Sequence, residues 1–494
     1  MPQSNAPEQP NLVFILPDRQ RRDSMACYDN DWIQAPRLNA LADESFVVEH
    51  CYVTQPVCAP ARSSILSGLY PLTAGMPVNR LVMPDPIQSI AQMVPDEYRC
   101  GYVGKWHLGD EIFPQRGFGE WVGANDNWWT EYTDATTQTQ LSPYHHFLME
   151  HGVKPDTKHP GGKMVSGPQR HALPAELMMA SFVGDQAADF IERSADRPFV
   201  LFASTVEPHP PFTGPYDDLY DPATMPVEET FLRHPDGAAQ FNQLRAELFS
   251  RSVRDGIDLS TEDGWRRLRA NYWGLVTLVD RMVGTILDAL ERTGVADNTV
   301  VVFTSDHGDM VGTHRMLEMR TPYEEATRVP LLMRVPWLSD KATTVPGNFS
   351  QIDFVPTLLD LLGQPVPAHV QGVSRAGVLR GEETLAGNDV FVQHNGEGDR
   401  DLTDECDSYD WPQEKVDELN RLNTLPWRSV VTADRWKLSL YQADQGELFD
   451  LNRDPLETTN LFDDPAHRQK ARDLAQKIYQ WQAAIRDTVR LPQA

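Results

Sequence analysis

No run of apolar residues in this 494-residue chain approaches the ~20 needed to cross a bilayer, which excludes a membrane-spanning helix. Cysteine is sparse. Cys27, Cys51, Cys58, Cys100 and Cys406 show neither metal-ligand spacing nor the pattern of a disulfide framework, so reduced thiols are expected. Positive charge is short as well: 44 Lys and Arg against 71 Asp and Glu give a formal net charge of −27. Nucleic acid, whose phosphates demand a basic surface, is thereby excluded as a partner. Long polyanions find no general attraction either, although a small anionic ester can still enter a locally positive pocket. The start, Met1-Pro2-Gln3-Ser4-Asn5-Ala6-Pro7, has no basic cluster and no hydrophobic segment, so no signal peptide is expected. That leaves a cytoplasmic protein or an exported one whose signal has been removed. Internal repeats and low-complexity tracts are missing too, and no feature sets an oligomeric state.

What is present suits a large globular α/β chain, with 40% hydrophobic residues and length enough for more than one domain. One pattern recurs four times. An apolar, β-branched run ends in polar, chemically capable residues: Leu12-Val13-Phe14-Ile15-Leu16 before Asp18, Tyr98 to Gly104 before Lys105 and His107, Phe199 to Ala203 before Glu207 and His209, and Val300 to Phe303 before Asp306 and His307. Continuous apolar runs of this length predict strands buried on both faces of a mostly parallel sheet covered by helices. Sites in such sheets assemble beyond the carboxyl ends of the strands, so the four transitions converge on one site.

Leu275, Val279, Met282, Ile286 and Leu290 share one face of a predicted helix that stops at Gly294. Residues 120–175, rich in Trp, His, Gly and Pro, read as a long insertion over the sheet, where Trp121, Trp128 and Trp129 are candidates to stack on sugar rings. The pattern changes near residue 375. The expected division is a catalytic domain over 1–375 and a smaller α/β subdomain over 376–494, with an antiparallel sheet and a terminal helix carrying Leu474, Ile478, Trp481 and Ile485.

The most informative stretch is Cys58-Ala59-Pro60-Ala61-Arg62-Ser63-Ser64-Ile65-Leu66-Ser67-Gly68. With its C-x-P-x-R core and L-S-G tail it resembles the signature of the type I sulfatases of the alkaline phosphatase superfamily, in which the Cys is oxidised to formylglycine. Ser305-Asp306-His307-Gly308-Asp309-Met310, Asp18, Gly104-Lys105-Trp106-His107-Leu108-Gly109, Pro208-His209-Pro210-Pro211 and Glu447-Leu448-Phe449-Asp450-Leu451 before Asp454-Pro455 match that family's further motifs in order. The resemblance implies a sulfate-ester hydrolase with an alkaline-phosphatase-like fold, matured by a formylglycine-generating enzyme. It implies a metal shell of Asp18, Asp306, His307 and the oxygen of modified Cys58. The implied ion is Ca²⁺, with Mn²⁺ or Mg²⁺ left open by the His ligand. It further implies that Arg62 and Lys105 hold the formylglycine diol, that His107 takes its second proton so that sulfate leaves, and that His209 protonates the leaving alcohol.

Two positions depart from the pattern. Arg19 stands where the family has Asp or Gln, and a guanidinium cannot ligate a cation. Either fewer side chains bind the ion, or Gln20 supplies an oxygen, or Arg19 faces substrate. Met319 stands where a sulfate-binding Lys is usual, with Arg320 beside it. Arg19, Arg320 and His394 are therefore candidate substrate contacts. A small sulfated substrate, a saccharide by the breadth of the family, is the first expectation. A phosphonate monoester or phosphodiester hydrolase on the same scaffold is the alternative, and an inactive sulfated-glycan binding homologue is a third reading.

Overall fold

The computed structural model describes residues 7–124, 133, 136–138, 140–155, 165–396 and 401–493. Trp128 and Trp129 lie outside the described residues. The central element is a nine-stranded mixed sheet. Its path runs from Thr343–Ser350 through Phe46–Tyr52, Leu331–Arg334, Thr299–Thr304, Asn11–Asp18, Phe199–Pro208 and Arg99–Gly104 to Glu120–Gly123, and the ninth strand, Arg328–Val329, pairs off this path with Phe46–Tyr52. Asn11–Asp18 pairs in parallel with both Phe199–Pro208 and Thr299–Thr304, and Arg99–Gly104 pairs in parallel with Phe199–Pro208. Leu331–Arg334 is antiparallel to both of its neighbours. The four runs read from the sequence as buried strands are thus adjacent, and their polar ends share one edge of the sheet.

Each central strand alternates between two cores, because successive side chains leave a strand on opposite faces. Val13, Ile15, Leu201, Ala203, Val301 and Phe303 pack on one face against Met179–Ser194 and Glu262–Thr293. Leu12, Phe14, Leu16, Val200, Phe202, Val300 and Val302 pack on the other, with Ile65, Leu66, Phe354 and Val355. Phe14 stacks on Phe202 with ring centroids 4.7 Å apart. Glu262–Thr293 is the predicted helix. Thr261 caps its start, and Gly294 ends it in the left-handed conformation at φ 71°.

A four-stranded antiparallel sheet, Val390–His394, Trp427–Val431, Trp436–Tyr441 and Glu447–Asp450, follows, with the helix Arg468–Ile485 packed on it through Leu474 and Ile478. Buried polar groups tie it to the large sheet. Glu447 accepts hydrogen bonds from Tyr323 Oη (2.8 Å), Tyr441 Oη (2.7 Å) and the Ala239 amide (2.8 Å). Lys437 sits between Glu324 (3.1 Å) and Glu457 (2.9 Å). The Glu447 motif is therefore a seam between the C-terminal sheet and the segments at Ala239 and Tyr323, and its Phe449 shares an apolar cluster with Cys58. Trp121 is not an exposed platform: it lies on the edge strand Glu120–Gly123, stacks on Tyr102 (5.1 Å) and donates to the Glu111 carbonyl (2.7 Å).

Candidate active site

Cys58 is the first residue of the helix Cys58–Ser67, all ten residues of which are buried. The L-S-G tail has a structural reason: Gly68 closes this helix at φ 68°, its amide bonded to the Ser64 carbonyl, and a Cβ there would stand 2.7 Å from Val370. Cys58 stands at the positive end of this helix, which favours negative charge on whatever atom occupies that place.

Asp18 ends its strand; Lys105 and His107 follow Arg99–Gly104; His209 follows Phe199–Pro208; Asp306 and His307 follow Thr299–Thr304. Gly104 is required for the second of these turns. At φ 109° it brings the chain so close to its neighbour that a Cβ would lie 1.7 Å from the Ser204 carbonyl oxygen. The ligand-type atoms of Asp18, Cys58, Asp306 and His307 all lie within 4.8 Å of one another, and all four residues are buried. Cys58 Sγ is 3.1 Å from His307 Nε2 and 3.8 Å from Asp18 Oδ1. His307 Nδ1 bonds the Gly308 carbonyl at 2.9 Å. That bond turns Nε2 toward the cluster; burial lowers the ring's proton affinity, but Asp306 and Cys58 outweigh it and raise it to about 9, so a bound cation would take the place of the Nε2 proton.

Two carboxylates, one imidazole nitrogen and the atom at Cys58 form a donor set that fits a hard divalent cation. Gln20 adds a buried Oε1 with no hydrogen-bond partner, while its Nε2 donates to Ser24 at 2.8 Å. Cations of the chain already act on the acids. Lys105 Nζ is 2.5 Å from Asp18 Oδ2, and Arg62 reaches Asp306 (2.9 Å), Asp18 (3.2 Å), Ser204 Oγ (2.8 Å) and the Lys105 carbonyl (2.9 Å). Burial alone raises the Asp18 carboxyl, but Lys105, His209, Arg62 and His307 hold it well below its usual range.

Burial, with Lys105 and Arg62 nearby, pushes His107 well below its ordinary value of 6.5. Burial and Arg19 do the same to His209, whose Nδ1 bonds the Pro210 carbonyl at 2.8 Å. Both rings are thus neutral at neutral pH in the free protein. Glu111 is a functional contributor that the sequence did not single out. Its two oxygens accept the amides of Trp106 (2.9 Å) and His107 (2.7 Å) and hold the turn that delivers His107 at φ 60°. Only its spacing, four residues after His107, could have marked it.

Arg19 is fully buried at φ 66°, its amide bonded to Asp306 Oδ1 (3.2 Å) and its Nη1 paired with Asp309 (3.2 Å) and Glu318 (3.4 Å). The guanidinium is therefore enclosed by carboxylates. Met319 packs with Cys58, Met310 and Met316 in an apolar cluster, and Arg320 pairs with Glu318 at 2.7 Å. His394 lies deep in the C-terminal sheet, its ring 5.6 Å from that of Trp427.

A buried acid, thiol and imidazole cluster at the carboxyl edge of this sheet places the chain in the alkaline phosphatase superfamily of hydrolases. Within it the chain belongs to the sulfatase family, whose model matches residues 10–364. It is similar to the N-acetylglucosamine-6-O-sulfatase of Bacteroides thetaiotaomicron, with 24% identity over 98% of this chain and 88% of that one. Its fold is shared with a solved structure of a protein in complex with its substrate D-glucosamine-2-N,6-O-disulfate (TM-score 0.74, 22% identity, 97% of this chain and 99% of that one). A phosphonate monoester hydrolase from Silicibacter pomeroyi matches equally well (TM-score 0.75, 23% identity, 97% and 96%).

Proposed function

We propose that this protein hydrolyses the sulfate ester of a small sulfated saccharide, with Ca²⁺ on Asp18, Asp306 and His307 and with formylglycine at position 58. The observation that carries the reading is Cys58 at a helix start with its Sγ inside the Asp18, Asp306 and His307 cluster. Sγ marks the place of the formylglycine oxygen, and the hydrated aldehyde supplies a nucleophile together with a second hydroxyl through which sulfate is released.

The chain's own residues do the rest. Lys105 and Arg62 bring positive charge to a site that must accept an anion, and both are anchored by Asp18. Neutral His107 accepts a proton. His209 carries one on Nε2 only after the bound anion has raised its affinity for protons, and then delivers it to the leaving oxygen. Because both histidines are shifted down, base and acid forms coexist on the acid side of 6.5. The kcat/KM profile is expected to peak below pH 6.5; a maximum above pH 8 would contradict these assignments.

Metal binding has a readout apart from turnover. Chelation and dialysis are expected to lower the melting temperature, because the buried carboxylates lose a compensating charge, and Ca²⁺ is expected to restore it at lower concentration than Mg²⁺. A melting curve indifferent to chelator and metal would remove the cation from the site.

The test of the reaction is sulfate release from a panel of saccharide sulfates and from 4-nitrophenyl sulfate, run beside phenyl phosphonate esters. The phosphonate monoester hydrolase reading is favoured by His307 in the metal set and by the likeness to the Silicibacter pomeroyi enzyme. A higher kcat/KM on the phosphonate esters would choose it. Binding of sulfated sugar without hydrolysis of any ester would choose the inactive homologue.

A further inference from the structure

Arg19 carries two local penalties that a simple ion pair does not require. Its backbone sits at φ 66°, in the left-handed region that a residue with a side chain enters only under strain. Hydrogen bonds hold it there. The Arg19 amide donates to Asp306 Oδ1 (3.2 Å), and its carbonyl accepts from Tyr272 Oη (2.8 Å), which in turn accepts the Arg21 amide (2.8 Å). The residue is 2% exposed, yet its Nε has no hydrogen-bond partner. A buried donor left unmade is unfavourable unless a ligand brings the acceptor.

The side chain is clamped at its far end. Nη1 lies 3.2 Å from Asp309 Oδ2 and 3.4 Å from Glu318 Oε1. Asp309 is itself fixed, since its Oδ1 accepts the amides of Val311 (3.1 Å) and Glu318 (2.8 Å). The clamp leaves Nε 3.9 Å from Asp18 Oδ1, beyond hydrogen-bond reach. That same oxygen is 3.8 Å from Cys58 Sγ, while Asp18 Oδ2 is occupied by Lys105 (2.5 Å) and Arg62 (3.2 Å). Nε and Sγ are thus neighbours of one carboxylate oxygen. After burial, Arg19 is the strongest influence that lowers the proton affinity of His209, so its charge is also felt at the ring assigned to the leaving oxygen.

Arg62 differs from Arg19 in one respect. Each of its three nitrogens already has an acceptor in the protein, so its part is to hold the acids together. Arg19 keeps a donor in reserve beside the nucleophile. We propose that Arg19 contacts the substrate directly, with Nε donating to an oxygen of the acidic group held beside Cys58. Asp309 and Glu318 then set the guanidinium in place, and Arg19 becomes a determinant of oxyanion recognition. This deepens the sulfatase reading and rests on it for the identity of the group, because a phosphonate presents similar oxygens.

The charge that attracts an oxyanion opposes a metal ion at Asp18. Removing it should therefore move the two affinities in different directions, which a merely loosened site would not do. Calorimetric titration of the wild-type protein and of Arg19→Gln, with inorganic sulfate, inorganic phosphate and Ca²⁺ in separate runs, reads both. Arg19→Gln is expected to weaken the tighter oxyanion about tenfold and to leave Ca²⁺ bound as tightly or more tightly. Loss of both affinities would mark a structural role and overturn the contact. Oxyanion affinity that survives the substitution, or that is missing from the wild type, overturns it too. If Arg19→Gln does not fold by its melting curve, Arg19→Lys takes its place under the same criterion, since an ammonium keeps the charge but has no nitrogen at the Nε position. Sulfate release from saccharide sulfates decides the underlying reading separately. Release by a wild type whose oxyanion affinity is indifferent to Arg19→Gln would sink the contact and keep the sulfatase. Arg19-dependent phosphate binding in a protein that releases no sulfate would keep the contact and sink the sulfatase.

Discussion

Replacing Cys58 with alanine is expected to reduce kcat/KM on the best sulfate ester by about 10⁴-fold or more, the scale on which removing a covalent nucleophile acts. The cause is chemical. Alanine has no atom to oxidise, so position 58 can offer neither a nucleophilic oxygen nor a donor to the cluster of Asp18, Asp306 and His307. The fold should tolerate the change. Cys58 is buried at a helix start whose other residues pack independently of Sγ, and the neighbouring Ala59 amide is satisfied by Asn79 Oδ1 at 3.0 Å. Loss of activity in a folded protein, with an unfolding midpoint lowered no further than chelation lowers the wild type, is therefore the expected pair of results. Cys58→Ser sharpens the test, since a hydroxyl is an oxygen but not an aldehyde, and it should not turn over. Mass spectrometry of the peptide spanning residues 58–68 should show the aldehyde in protein co-expressed with a formylglycine-generating enzyme. Wild-type activity without that aldehyde, or activity in Cys58→Ala, would end the nucleophile assignment.

Much of this site was legible in the sequence because the physics that makes it is local. A strand buried on both faces must be apolar throughout, so the residue at which polarity returns announces the sheet edge. Asp18, Lys105, His209 and Asp306 were all visible that way. The C-x-P-x-R and L-S-G elements likewise sit within one helix and its cap. What stayed hidden depends on residues far apart in the chain. Glu318 reads as one acid in a polar loop, yet it serves arginines at positions 19, 254 and 320. Arg245 reads as a surface residue of an ordinary helix and is buried because Phe241, Phe249 and the Leu317 carbonyl meet there.

Residue type leaves the surroundings of Arg19 and Trp121 equally hidden. A guanidinium where the family has an oxygen ligand raises the question of substrate, but pattern alone could not foresee two carboxylates to enclose it. Trp121 lies in a stretch with little periodicity, and only the parallel pairing of Glu120–Gly123 with Arg99–Gly104 brings it against Tyr102. The seam at Glu447 is similar: Tyr441, six residues away, and Tyr323, more than a hundred away, satisfy its carboxylate where water is excluded.

Arg62→Ala is expected to be the most destabilising single change at the site, by about 3–5 kcal/mol, because it removes one partner of a buried charge network and leaves the others unpaired. In the wild type the guanidinium makes contacts at 3.2 Å or less to Asp306, Asp18, Ser204 and the Lys105 carbonyl, and it is 1% exposed. Deletion exposes Asp18 and Asp306 to each other's charge, with Lys105 and Arg19 left beside Asp18 and His307 beside Asp306. Arg62→Lys tests the geometry separately from the charge: an ammonium restores the sign but cannot span all four acceptors, so it should recover part of the stability and little of the activity. Urea denaturation with and without Ca²⁺ reads the result. If the cation binds Asp18 and Asp306, it offsets part of the lost charge, and the penalty of Arg62→Ala should shrink as Ca²⁺ is added. A penalty that Ca²⁺ leaves untouched would mean that the acids serve Arg62 alone. One under about 0.5 kcal/mol would mean that they never depended on it.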